Sequence, residues 1–348
     1  MVLTSGGFAY AVYLHFKLLR GLANFPENVG LKLRRAIYFT DVKPDQAQAM
    51  KAFVGALQLA AQEGMHPLSD EVMGIQAEMA RFLEKIGHVQ MAIDLFEDVK
   101  KDCLRGIDTM GDREDYPALR ARLLTRACTA STRLAELYSS PYIGNAQKVE
   151  ECLVWSVETT LREKRRREVE GVKPGEGEWL DDDQQGTQLE ALAHTYEEKD
   201  QHYLAAQLFL QALMIKPKKD CHAVILMNNL AASIAQQSPP VEPGQPPPSR
   251  AQLIDSARTW AKQALALAAN IKPPERNSEC DRGCAVATHN LGEFAEMDGN
   301  IPEARDKYEE AGSIAHAIGF EEGVKSANEG LRRLSSGNKK KKGKKAWW

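Results

Sequence analysis

The stretch from Leu192 to Pro217, LAHTYEEKDQHYLAAQLFLQALMIKP, decides the fold. Leu192, Ala193 and Tyr196 fall on one face of a helix of period 3.6. Ala205, Phe209 and Ala212 fall on one face of a second. Small residues sit where two antiparallel helices must cross closely, and an aromatic stands where the next layer needs a plug. Pro217 then ends the unit.

The same arrangement recurs along the chain. Leu291-Gly292 lead through Gly299 to Ala304, Tyr308 and Ala311, and Met79-Ala80 lead through Gly87 to Ala92, Phe96 and Val99. Three looser copies complete the set. Ala36-Ile37 pair with Ala49, Phe53 and Ala56. Leu134, Ala135 and Tyr138 pair with Val149, Leu153 and Val157. Leu230-Ala231 and Ile234 pair with Ala257, Ala261 and Ala264. This is the tetratricopeptide pattern. It predicts an all-α fold, a right-handed α-solenoid of about six TPR-like hairpins over residues 25–334, closed by a capping helix near Glu321–Leu334. The alanines of the second helices lie farther apart than the standard 34-residue period. Two insertions explain this: 168–183, rich in Gly and acid, and 237–249, with six prolines. Residues 335–348, Gly, Ser and Lys followed by a Trp pair, read as a disordered tail.

Residues 1–24 form a separate segment. Its core, GGFAYAVYLHFKLL at 6–19, is apolar but interrupted by His15 and Lys17, and shorter than the roughly 20 residues of a spanning helix. It is a candidate for membrane contact, and it fits an amphipathic docking helix, the remnant of an anchor or a weak targeting segment alike. No targeting presequence is legible before Gly6. The chain's net charge is −3 even with six lysines in 339–345, so the body is acidic. That tail is a solvated end rather than a specific nucleic-acid site.

The composition offers no catalytic constellation. There is no GxxxxGK[ST], no GxSxG, no GxGxxG after a strand and no HExxH. No cofactor or metal is implied, since the CxxxC of Cys280 and Cys284 has no ligand pair beside it. All six cysteines read as reduced, buried thiols. The chain reads as a binder of proteins. Its partner groove is expected on the first helix of each hairpin, at Arg81, Glu84, Glu190, His194, Glu197, Asn228, His289, Glu293 and Glu296. That groove is acidic, which fits a basic, apolar or unfolded segment and not the acidic terminus of a chaperone.

Phe25–Val99 resembles the start of the TPR-containing adaptor subunits of the fungal mitochondrial inner-membrane i-AAA protease. The telling pieces are Leu33-Arg34-Arg35-Ala36, the connector GMHPLSDEV at 64–72 and FLEKIG at 82–87, and the later repeats fit the same layout. The resemblance implies AAA protease subunits and unfolded client proteins as partners. It also implies a place at the mitochondrial inner membrane, with the repeats facing the intermembrane space, and no catalytic residue. A respiratory-complex assembly factor and a cytoplasmic TPR scaffold are the rival readings.

Overall fold

The computed structural model describes residues 24–109, 116–215, 220–238 and 247–344. Among them there are thirteen α-helices, one short π segment and no strand. The chain forms two compact units, Met1–Trp179 and Leu180–Trp348. The division falls inside the 168–183 insertion.

In the first unit α1 (Glu27–Ile37), extended by a π turn at Tyr38–Val42, pairs with α2 (Gln46–Gln62). Helix α3 (Asp70–Lys85) pairs with α4 (Val89–Thr109), and α5 (Tyr116–Ser139) with α6 (Ala146–Glu170). In the second unit α7 (Asp182–Glu197) pairs with α8 (His202–Ile215), α9 (Cys221–Gln236) with α10 (Arg250–Asn270), and α11 (Ser278–Met297) with α12 (Ile301–Ala317). Helix α13 (Glu321–Lys344) packs on α12 and α11. These are the six hairpins and the closing helix that the repeat spacing predicts.

Local chemistry fixes the helix starts. Ser69, Asp45, Asp220 and Asn300 each accept a hydrogen bond from a first-turn backbone N–H, and Asp181–Gln184 and Ser249–Gln252 form capping boxes. The α3–α4 and α11–α12 turns close through glycines at positive φ, Gly87 at 80° and Gly299 at 77°. In the α7–α8 turn Asp200 takes that role at φ 56°.

The second-helix alanines carry the packing. Ala49, Ala92, Ala205, Ala257 and Ala304 are fully buried, as are Phe209 and Tyr308. A methyl at these points lets the helices approach; a larger side chain would hold them apart.

Some expectations change. Cys221 and Cys280 form a disulfide rather than two thiols. The first residue of α9 and the third of α11 are brought together where Val224, Ala268 and Ala287 pack the two hairpins into one core patch. Long-range packing of this kind is invisible in cysteine spacing. Cys103, Cys128, Cys152 and Cys284 remain free. The 168–183 insertion is helical to Glu170 and again from Asp182, leaving only 171–181 as a connector. Helix α13 continues to Lys344, beyond the Ser335 at which the tail was expected to begin. No proline interrupts this stretch, and lysines suit a helix C-terminus. The segment 6–19, the Trp pair and residues 239–246 of the second insertion lie outside the described residues. Among those described, no helix is long and apolar enough to cross a membrane.

Candidate functional site

In the second unit the residues expected to line a groove meet across helices. On α7, His194 lies between two carboxylates, with Nδ1 at 3.0 Å from Glu197 and Nε2 at 3.8 Å from Glu190. From α9, His222 brings Nε2 to 2.9 Å from Glu190 and Nδ1 to 3.5 Å from Glu279 at the start of α11. Ser233 donates to Glu197 at 2.5 Å. The result is a ladder of alternating carboxylate and imidazole groups across the first helices of consecutive hairpins.

Electrostatics follow from this alternation. The carboxylates of Glu190 and Glu197 on either side outweigh burial and push the His194 imidazole up to about 9. Burial alone would raise Glu190, but the two imidazoles beside it, His194 and the hydrogen-bonded His222, outweigh it and bring the carboxyl to about 2. At neutral pH the ladder therefore carries both signs. The His194 side chain remains 46% exposed, so it is open to a partner. Its ring edge rests on Phe209, with centroids 5.1 Å apart.

The other expected residues have different fates. Asn228 is only 1% exposed, and its Nδ2 donates to the Gly283 carbonyl at 2.9 Å. It joins α9 to α11 and is not available to a partner, because the two helices approach too closely at that level. His289 is largely buried against the Tyr308 ring, with Nε2 3.5 Å from Glu293. Glu293 and Glu296 share Arg333 of α13, at 3.6 and 3.1 Å, and the Tyr308 hydroxyl donates to Glu296 at 2.6 Å. Arg333 thus covers part of the acidic face from within the chain.

In the first unit Arg81 pairs with Glu78 at 2.6 Å and approaches Asp41, while Glu84 receives Arg133 of α5 at 2.8 Å. Two further arginines of α5, Arg122 and Arg126, stand at 3.8 and 2.9 Å from Asp70 of α3. The expected acidic groove did not include Arg122, Arg126 or Arg133. Their spacing of four and seven residues marks one helix face, a signal that was present in the sequence.

Among the described residues, no group of three or more His, Cys, Asp or Glu side chains is placed to hold a metal ion.

No family model matches the chain. A TPR repeat-containing protein of Schizosaccharomyces pombe is 26% identical over 314 residues, covering 89% of this chain and 79% of that protein. Among solved structures, BtubC (BKLC) from P. vanneervenii superposes with a TM-score of 0.50 at 15% identity, covering 80% of this chain and 93% of that one. A putative kinesin light chain of Podosopora anserina with nearly identical TPR-like repeats gives a TM-score of 0.45 at 19% identity, over 73% and 98%. The fold is that of a TPR-like helical-repeat protein.

Proposed function

We propose that this chain is a non-catalytic scaffold that holds other proteins. We further propose that it serves as an adaptor presenting misfolded or unassembled membrane proteins to the AAA protease of the mitochondrial inner membrane. The observation that carries the reading is the ladder of Glu190, His194, Glu197 and His222. It is a solvent-reachable row of charged hydrogen-bonding groups displayed by consecutive first helices. Such a row suits many weak, sign-selective contacts with an extended segment, the mode of binding that helical repeats favour. Basic or partly unfolded clients complement its carboxylates.

The setting is supported by two independent features. The N-terminal repeats resemble adaptors of this class, and the Cys221–Cys280 disulfide suits an oxidising compartment better than reducing cytosol.

The test is localisation followed by capture. Tagged full-length protein should fractionate with mitochondria, and crosslinking should recover an AAA protease together with membrane-protein clients. Glu190→Lys should lower client recovery without lowering protease recovery. Fractionation with soluble cytosol would overturn the mitochondrial reading. Recovery of respiratory subunits without the protease would replace the adaptor with an assembly factor.

A further inference from the structure

The first unit carries a charged surface that the ladder on α7 and α9 does not use. The connector Gly171–Asp181 crosses α5 without helical structure. Its Gly175 lies so close that a Cβ there would stand 3.5 Å from that of Ala118. Arginines hold it at three points. The Glu176 carboxylate, almost fully buried, takes Arg166 at 2.5 Å, and the Gly177 carbonyl accepts from Arg167 at 3.0 Å. The Trp179 ring lies under the Arg167 guanidinium, 5.5 Å away. Behind them the buried Glu163 gathers Arg120, Arg166 and Arg167 at 2.8, 2.6 and 3.1 Å. This strap, Gly-Glu-Gly-Glu-Trp, is itself an extended acidic and aromatic segment lying on an arginine-rich helix face.

Beside the strap the face remains open. A cavity of about 570 Å³ lies between α3, α4 and α5, with Met73 and Phe96 among its apolar walls and Gly175–Glu178 of the strap as one side. Arg122 and Arg126 stand at its mouth, 49% and 35% exposed, and both draw on the single carboxylate of Asp70. Glu176 is committed to Arg166, so Glu178 is the remaining strap carboxylate at the rim. The volume is ample for one or two side chains of a ligand.

We infer that this cavity receives an extended acidic segment of a partner protein, with an apolar side chain against Met73 and Phe96 and a carboxylate on Arg122 and Arg126. The guanidinium fork is shaped for a carboxylate, and an incoming one would relieve the sharing of Asp70. The strap shows in cis that the adjoining face accepts this chemistry. The inference rests on the protein-holding reading and extends it. The first unit would select partners of the opposite charge to those favoured by the second, a division that separates two kinds of partner on one chain.

The test uses the full-length chain and three fluorescein-labelled peptides, each with one phenylalanine flanked by glutamates, lysines or serines, read by fluorescence anisotropy. The glutamate peptide should bind at least about tenfold more tightly than the serine peptide, equivalent to about 1.4 kcal/mol. The double variant Arg122→Glu/Arg126→Glu should abolish that preference. Asp70→Asn and Glu178→Gln should each strengthen binding of the glutamate peptide. Circular dichroism checks the fold, and Arg122→Gln/Arg126→Gln replaces the reversal if it unfolds the chain. A preference that survives in folded double variants, or is absent from wild type, overturns the inference. If the lysine peptide still binds through α7 and α9, the holding function stands without it. If no peptide and no unfolded client binds, both fall.

Discussion

Arg333 of the closing helix lies 3.1 Å from the Glu296 carboxylate of α11 and 3.0 Å from the Tyr308 hydroxyl, which itself donates to Glu296. The last helix therefore does more than cover apolar surface. It places a cation on the acidic face of the final hairpin. The pair is half exposed, so its contribution to stability is small, within about 1 kcal/mol. Its effect on binding should be larger. Arg333→Ala removes this cation from Glu293 and Glu296, leaving their His289 and Tyr308 partners in place, and a basic client peptide should then bind a few-fold more tightly in a competition assay while the melting temperature barely moves. Unchanged affinity would show that this end of the face is not used.

The ladder on α7 gives stability a pH dependence with a definite sign. His194 is raised from 6.5 to about 9 in the fold, so its contribution is complete below about pH 6.5 and lost as pH rises through about 9. Glu190 is depressed from 4.5 to about 2, so its contribution is present above pH 4.5 and lost as pH falls through about 2. Denaturant midpoints measured from pH 6 to 10 should decline across the upper window. His194→Gln should flatten that decline. A wild-type midpoint that stays level from pH 6.5 to 9 would rule out the imidazolium between Glu190 and Glu197.

The Cys221–Cys280 bond closes a loop of sequence separation 59 around the α9–α10 hairpin. Cross-linking a loop of that size stabilises by about 2–4 kcal/mol, chiefly by restricting the unfolded chain. Reduction, or the Cys221→Ser/Cys280→Ser pair, should lower the melting temperature of the second unit by several degrees. Peptide mapping without reductant should recover the two cysteines as one linked species. Recovery of both as free thiols from protein purified under oxidising conditions would remove the bond.

The hairpins were legible because their information is local. Alanine and aromatic offsets within about 25 residues state which faces must touch, and Ala205, Phe209, Ala304 and Tyr308 are all buried as that pattern requires. The site was legible only in part. Glu190, His194 and Glu197 share one helix face, and periodicity alone could group them. His222 joins them from α9 through packing between hairpins, and the same packing buries Asn228 and pairs Cys221 with Cys280. No spacing within one repeat encodes such contacts. The strap was obscured for another reason. Its composition reads only as an insertion rich in Gly and acid, yet Arg166 and Arg167, both gathered by the buried Glu163, hold it onto the helices.

That buried network makes Glu163 a sensitive position. Burial favours its protonated form, but hydrogen bonds from Arg166, Arg120 and Arg167 outweigh this and hold the carboxyl at about 2. Glu163→Gln leaves three arginines with one buried carboxylate, Glu176, among them. The cost should approach about 3 kcal/mol, the usual penalty for removing one side of a buried ion cluster. Protease cleavage within 171–179 should rise as well, because the strap loses its anchor. A variant with wild-type denaturant midpoint and an intact strap would show that Glu163 does not organise the cluster.

Gly292 provides the most direct test of the repeat geometry. A Cβ at this position of α11 would stand 2.9 Å from both Cδ1 and Cε1 of Tyr308 and 3.3 Å from the Lys307 Cβ. The Tyr308 ring cannot easily retreat, since it is fully buried and its hydroxyl is tied to Glu296 and Arg333. Gly292→Ala raises helix propensity by about 1 kcal/mol, yet the steric conflict should exceed that gain and give a net loss of about 1–3 kcal/mol. The companion Tyr308→Leu removes ring volume and should recover part of the loss in the double variant, at the expense of the Glu296 hydrogen bond. Denaturant unfolding of the two single variants and the double completes the cycle. Independent, additive losses would mean that the two helices do not meet at this crossing.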